Sequence, residues 1–600
     1  MKEDILQRIE RLRDEMKRER LSAFIFTSAD AHNSEYTPDR WHGREWISGF
    51  NGSAGTAVVT LDDAALWTDS RYFLAAREQL AGTGFTLMKD GMAETPEIAE
   101  WLGKKLAKAD GAEVGIDGYC LSQSDTESLR KKLRHQGGIT LRTNLDILNR
   151  IWNDRPAMPD GEIFIHDASF CGLSAKEKLR LIREELKKKH ACGLLITALD
   201  EVAWTLNLRG HDVHCTPVFL AYLLIDGDET TLFIDRKKLT ADVADYLRSQ
   251  GVAVADYCHI EKALENYQGY NILLDPEQVN GILYNKVHCQ EVIADKSPVL
   301  FLKSIKNDTE ISCIRNAMIK DGVALVKFLK WMTPAVAKGG QTEISLDEKL
   351  TEFKKEQQLF EDLSFDTIAA YKEHGAIVHY EATPETASEI KPEGLLLIDC
   401  GSQYQDGTTD ITRTFALGSI TDEEKRVCTL VMKAHINLAR AQWLEGTNGT
   451  QLDVLARGEL WKEGYSYGHG TGHGVGFFLS CHEGPQCIRK EYRPAPLLPG
   501  VVITDEPGIY LEGKFGCRIE NMLLVVPAGE GVQGDRFCKF ETLTLCPYDK
   551  GILNIDMLTQ DEIDWVNHYH RMVYEKLSPH LNDEEREWLM PACAAIIKGK

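Results

Sequence analysis

The chain has 600 residues, 43% of them hydrophobic and 27% charged. Single hydrophobic cores stop growing near ~250–300 residues, so this length calls for roughly three or four domains, and the composition excludes a disordered or collagen-like chain. With 69 Lys and Arg against 92 Asp and Glu the net charge is −23, which disfavours nucleic acid or an anionic membrane surface as partner.

The N-terminus, MKEDILQRIERLRDEMKRERL, carries Ile5, Ile9, Leu12 and Met16 at helical spacing and has no hydrophobic signal core. No apolar run approaches the ~18 residues of a membrane span; Pro217 to Ile225 is about half that and reads as a buried strand. The 15 cysteines include no C-x-x-C pair, which argues against a disulfide framework or a zinc ribbon and for a reducing cytoplasm.

Two long segments then follow one plan. In the first, the helix leads to strand-like SAFIFTSAD (22–30), then WISGF (46–50), TAVVT (56–60), ALWTDSRYF (65–73) and a helix near Ala75–Leu80. In the second, the helix AKEKLRLIREELKKKH (175–190) leads to the strand CGLLITALD (192–200), WTLNLRG (204–210), FLAYLLID (219–226), TTLFIDRKKL (230–239) and the helix ADVADYLRSQG (241–251). Asp30 and Asp200 lie 170 positions apart, and Asp69 and Asp235 lie 166 apart. That near-constant offset predicts duplicated α/β domains. Joints fall at RIWNDRPAMPDGE (150–162) and IADKSPVLFLKSIKND (293–308). A long helix follows over 308–332, strand pairs with tight turns dominate from about 390, and the last 50 residues read as helical.

The chemistry gathers in this third part. In GLLLIDCGSQYQDGTTDITRTF (394–415), Asp399 ends an apolar strand, Asp406-Gly407 signals a turn, and Asp410 opens the returning strand. In VVITDEPGIYLEGKFGCRIENMLLVV (501–526), Glu506 ends a strand, Glu512-Gly513 falls in the turn, and Glu520 lies on the return. Carboxylates at buried strand ends need a proton, a base or a metal, and one arginine per hairpin (Arg413, Arg518) cannot neutralise two acids. Between the hairpins, YGHGTGHGVGFFLSCHEGP (467–485) sets His469 and His473 among glycines, and His482 follows. The glycine intervals do not fit G-x-G-x-x-G, Gln486 breaks H-E-x-x-H, and no G-x-S-x-G elbow occurs. Four carboxylates with at least one imidazole form a hard ligand set, suited to two divalent ions of Mn²⁺ or Co²⁺ type held ~3.5–4 Å apart. Cys400, Tyr404 and Tyr467 read as packing residues.

These runs, with SEYTPDRWHGREWISGFNGSAGTAVVT, ALWTDSRYF and ITALDEVAWTLNLRGHDV, resemble the pita-bread metallopeptidases, and among them the three-domain aminopeptidase P branch. The resemblance spans nearly the whole chain. It implies an α/β (α+β) fold: two duplicated creatinase-like domains (1–156 and 157–305), then a pita-bread catalytic domain (306–600) with a helical C-terminal extension from about 548. It implies a metal-dependent Xaa-Pro aminopeptidase acting through a metal-bridging hydroxide, with a prolidase-like dipeptidase or a non-catalytic peptide-binding module as alternatives. It further implies two metal ions, usually manganese, on Asp399, Asp410, His473, Glu506 and Glu520, with Asp410 and Glu520 bridging. His379, His469 and His482 are expected beside the substrate as binding and proton-handling groups, and Glu506 as proton shuttle. Arg71, Tyr510 and Arg518 are expected to contact the peptide. Peptide substrates, a homodimer and a cytoplasmic location complete the expectation, with no nucleic acid and no membrane.

Overall fold

The computed structural model describes residues 2–108 and 111–598; the outermost positions of the expected domain bounds, 1 and 600, lie outside the described residues. The chain divides into two compact units, Met1–Ala168 with Leu173–Leu300, and Ser169–Gly172 with Phe301–Lys600.

The first unit contains two six-stranded sheets of the same topology. In the first, Ala23–Phe26 pairs antiparallel with Thr56–Thr60 on one side and parallel with Glu113–Ile116 on the other. In the second, Gly193–Ile196 does the same with Ala221–Asp226 and Asn271–Leu274. In both, the outermost strands, Thr86–Lys89 and Thr140–Arg142, and Ala253–Ala255 and Glu291–Ala294, join in parallel. The central strands are continuous apolar runs because helices cover both sheet faces. Lys2–Glu19 is one such helix, burying Ile5, Ile9, Leu12 and Met16, and Ala175–Lys188 repeats it behind a Ser174–Glu177 capping box. Two segments with strand-like composition are helical instead: Gly43–Ser48 takes in most of WISGF, and Leu199–Leu206 takes in the end of ITALD and the start of WTLNLRG. Asp200 and Glu201 sit in the first turn of that second helix, where the backbone N–H groups favour negative charge.

The second unit is built on antiparallel sheets. A three-stranded sheet aligns Ile368–Tyr371, Leu395–Cys400 and Ile411–Ala416. A six-stranded sheet runs Gln442–Leu444, Arg536–Thr542, Asn521–Glu530, Val502–Asp505, Gly472–Gly474, Glu483–Ile488. The helix Asp308–Lys338 starts at an Asn307–Glu310 capping box and runs past the expected end at 332. Two further helices interrupt the region read from sequence as strand pairs, Asp422–Ala439 and Gly449–Trp461; both pack apolar faces into the main core of this unit. The C-terminal helices Gln560–Leu577 and Asp583–Ala592 match the helical reading and close that core from the far side.

Candidate metal centre

Pairing of the strands determines where the acids meet. Asp399 lies opposite Thr412 across the first hairpin, so Asp410 is carried to the same sheet end. In the second, Asp505 pairs with Asn521, which sets Glu506 and Glu520 side by side. Gly472–Gly474 slots between Val502–Asp505 and Glu483–Ile488 and brings His473 in. Glycine is required there, since a Cβ at Gly472 would collide with the Thr504 carbonyl.

Donor atoms of Asp410, His473 and Glu520 lie within 4.8 Å of one another. His473 Nε2 is 3.3 Å from Asp410 Oδ2 and 3.6 Å from Glu506 Oε1. Its Nδ1 lies 3.0 Å from the Gly474 carbonyl oxygen, which can only accept, so Nδ1 carries a hydrogen and Nε2 is directed at the acids. Asp399 Oδ1 is buried with no hydrogen-bond partner, while Oδ2 accepts from Arg518 at 2.6 Å. An orphaned carboxylate oxygen, three further acids and an imidazole in the metal-binding tautomer fit a pair of hard divalent cations.

Among the protein groups alone, this crowding is expensive. Burial pushes Glu520 well above the usual carboxylate range, reinforced by the charges of Asp410, Glu506 and Asp399. Burial likewise raises Glu506 to about 7 and raises Asp399, in both cases against the pull of Arg518. Asp410 goes the other way: burial opposes ionisation, but the hydrogen bond and charge of His473 outweigh it. For His473 burial is again overcome, by the Asp410 hydrogen bond and the charges of Glu506 and Asp410, and its pKa rises to about 9.

Around these groups lies a layer of orienting contacts. Thr412 Oγ1 donates to Glu520 Oε2 (2.8 Å) and accepts from Arg518 Nε (3.1 Å). Thr504 Oγ1 accepts from the His473 backbone N–H (3.1 Å) and donates to Glu506 Oε1 (3.4 Å). Cys481 Sγ donates to Asp410 Oδ2 at 3.2 Å, and burial keeps it a thiol. Arg518 also donates to Tyr510 Oη (2.8 Å), which in turn lies 2.8 Å from His469 Nε2. His469 Nδ1 faces the Gly470 carbonyl at 2.7 Å and is 3.8 Å from Glu506 Oε2. His482 stands edge-on to His473, ring centroids 4.3 Å apart.

Of the residues expected from sequence, Asp399, Asp410, His473, Glu506 and Glu520 thus converge, and His469, His482, Tyr510 and Arg518 surround them. His379 is half-buried in the loop after Lys372–Ala376, a turn that packs its Gly375 against Gly516 on the Arg518 strand. That loop is held by Glu343, a fully buried carboxylate that accepts from Tyr371 N (2.7 Å), His374 Nδ1 (2.9 Å), Tyr380 Oη (2.9 Å) and Ser388 N (2.8 Å). Arg71 belongs to the first unit, where its guanidinium forks onto Asp69 at 2.9 and 2.7 Å. Arg413 reaches the backbone rather than the carboxylates of this group: it donates to the Glu520 carbonyl (2.6 Å), the Cys546 carbonyl, Tyr569 Oη and Asn521, and lies over the Tyr548 ring. Sequence reasoning did not find Thr412, Thr504, Cys481 or Glu343, because none stands out by spacing from the ordinary residues of its segment.

Residues 312–527 match metallopeptidase family M24, and 536–596 match the C-terminal region of that peptidase family. Residues 8–143 and 154–310 each match a creatinase/prolidase N-terminal domain. The chain is 40% identical over 606 residues to Xaa-Pro aminopeptidase 1 of Dictyostelium discoideum, covering 98% of this chain and 96% of that one. It is 39% identical to aminopeptidase P2 of Arabidopsis thaliana, covering 95% and 85%. Among solved structures, an X-prolyl aminopeptidase from Caenorhabditis elegans, described as a cytosolic enzyme with a di-nuclear active site, superposes with a TM-score of 0.94 at 33% identity, over 99% of this chain and 100% of that one.

Proposed function

This chain belongs to metallopeptidase family M24 and, within it, to the Xaa-Pro aminopeptidases, and from that membership we propose that it releases the N-terminal residue from peptides with proline in second position. It is a hydrolase with two creatinase-like N-terminal domains ahead of a pita-bread domain. We draw the domain limits at 1–156, 157–305 and 306–600, with the extension beginning near 548.

Asp399, Asp410, His473, Glu506 and Glu520 are the proposed ligands of two divalent ions, manganese by preference, with Asp410 and Glu520 shared between them. The observation that carries this is the meeting of Asp410, His473 and Glu520 donor atoms within 4.8 Å, beside an Asp399 oxygen that no protein group satisfies. When bound, the ions supply Lewis acidity toward the scissile carbonyl and make an attacking water available at neutral pH. His379 or His482 donates to the carbonyl oxygen as negative charge gathers on it. Glu506 takes the proton of the attacking water and delivers it to the proline nitrogen, which carries no hydrogen of its own. The carboxylate-rich wall receives the free N-terminal amine. His469 binds the substrate and assists proton movement, Tyr510 and Arg518 wall the proline pocket, and Arg71 contacts the peptide.

A second copy of the chain is the proposed partner. Val454 and Trp461, seven residues apart on the helix Gly449–Trp461, are each 51% exposed and form the apolar face it would cover. A cytoplasmic location agrees with a sequence whose 15 cysteines include no C-x-x-C pair.

The test is hydrolysis of Arg-Pro-Pro against Arg-Ala-Pro, after chelation and after Mn²⁺ is restored. Metal-dependent release of arginine from the proline peptide alone is the expected result. Cleavage of neither peptide by protein with two ions bound overturns the reading.

A further inference from the structure

The two sheets of the first unit share one topology, and therefore one weak point. In each, the chain builds strands outward on one side of the central strand and then crosses to the other. The carboxyl ends of the central strand and its parallel neighbour thus flank a crevice of the kind that binds ligands in open α/β sheets. The two crevices differ in what fills them.

On the second sheet the crevice is occupied by the chain itself. His32 lies there fully buried, its Nδ1 donating to the carbonyl of Thr197 (2.9 Å), directly beyond Gly193–Ile196. Its ring stacks on Tyr222 at 4.4 Å. The backbone around it is a tight turn, with the Asn33 N–H donating to the Asp30 carbonyl (3.2 Å) and Asn33 at φ +55°, and three side-chain hydrogen bonds hold it in place. Asn280 Nδ2 donates to the Ala31 carbonyl (2.9 Å), Gln278 Nε2 to the His32 carbonyl (2.5 Å), and Asn33 Nδ2 reaches the Glu277 carbonyl (2.9 Å). A three-residue peptide segment with a nitrogenous side chain is therefore the occupant of this site.

On the first sheet the matching crevice is open. It begins at Thr27 and Ser28, beyond Ala23–Phe26, and at Cys120, beyond Glu113–Ile116, and encloses about 710 Å³. That volume lies in the range of small-ligand sites, about 300–1,000 Å³. Five carboxylates and two bases line it. Arg71 is paired with Asp69 and Lys132 with Glu97, so neither base offsets Asp90 or Asp125. We propose that this open crevice binds a short, positively charged peptide segment, as its counterpart holds the Ala31–Asn33 turn, with Asp90 and Asp125 selecting lysine or arginine side chains. The choice of a peptide as ligand rests on the peptidase reading; the crevice and its charge do not.

The probe is a fluorescein-labelled, N-acetylated Gly-Arg-Gly-Arg-Gly peptide, whose blocked amine prevents turnover, titrated by anisotropy into the full-length, metal-loaded protein. Saturable binding is expected, weakened about tenfold by Asp90→Asn with Asp125→Asn, weakened by added salt, and abolished by Ser128→Trp, which places an indole in the crevice. Asp410→Asn in the metal centre should leave it unchanged. Absence of saturable binding, equal affinity for the probe with glutamate in place of arginine, or an affinity unmoved by the double Asn variant overturns the proposal. Hydrolysis of Arg-Pro-Pro is read on the same samples. Hydrolysis without probe binding defeats the crevice alone, and probe binding without hydrolysis defeats the peptidase reading alone.

Discussion

Thr412 Oγ1 donates to Glu520 while it accepts from the arginine that holds Asp399, so a single hydroxyl ties two carboxylates from different hairpins. Its replacement by valine keeps the shape and removes both hydrogen bonds. Orienting contacts of this kind are worth roughly 10- to 100-fold in metal affinity. Thr412→Val is therefore expected to fold normally and to bind Mn²⁺ about tenfold more weakly by calorimetric titration. Asp410→Ala removes one of the three donors that meet most closely, and should abolish both high-affinity metal binding and peptide hydrolysis. The acids themselves were legible in the sequence because Asp399 and Glu506 end apolar runs while Asp410 and Glu520 lie on the strands that return after a turn. Thr412, Thr504 and Glu343 were not, since a hydroxyl or carboxylate that acts through another residue leaves no mark on spacing.

At the scale of elements, the loop of His379 is fixed by one carboxylate from another segment. Glu343 receives four donors from Tyr371, His374, Tyr380 and Ser388, which brackets His379 on both sides. Glu343→Gln offers one acceptor oxygen in place of two. KM for Arg-Pro-Pro should rise about tenfold while bound metal per chain stays constant, a split that separates loosening of the loop from damage to the centre. The helix Gln560–Leu577 yields a second expectation. His570 Nε2 accepts from the Tyr548 backbone N–H at 3.1 Å, and burial, helped by the charges of Lys550 and Arg413, lowers its pKa to about 3. The ordinary value is 6.5, so between the two the unfolded chain binds more protons. The stabilisation is complete above pH 6.5 and is lost as pH falls toward 3. About 2 kcal/mol should disappear between pH 7 and 5. His570→Gln, which keeps an acceptor and cannot titrate, should flatten that stretch of a urea-unfolding series.

Helices and strands were unequally legible. Amphipathic segments such as Lys2–Glu19 and Ala175–Lys188 announce themselves by period. Leu199–Leu206 is buried on every side and shows no period, so composition favoured strand. The helices Asp422–Ala439 and Gly449–Trp461 did carry a signal, the capping boxes Thr421–Glu424 and Asn448–Gln451 that lie between the two carboxylate hairpins.

For the whole molecule, the metal centre and the fold should be thermodynamically linked, since four acids and one histidine are tolerated together best when cations share them. Metal bound at 100 times its dissociation constant adds about 2.7 kcal/mol to the stability of what it binds. Chelation should accordingly lower the unfolding midpoint of the chain, and Mn²⁺ should restore it, in a calorimetric scan; an unchanged scan would mean that the centre is stable empty. Val454→Arg should yield a monomer by light scattering if that helix face joins two copies.

The hydrogen bonds that run from Asp399 through Arg518 and Tyr510 to His469 have a direction. Arg518 donates both to Asp399 and to Tyr510, and a guanidinium does not surrender its hydrogens. The row of contacts is therefore a one-way conductor of orientation and an insulator for protons. Whatever proton traffic the reaction needs must pass on the other side, by way of Glu506. A solvent isotope effect on turnover should then survive Tyr510→Phe with its size intact, although the histidine that Tyr510 steadies will be less well aimed.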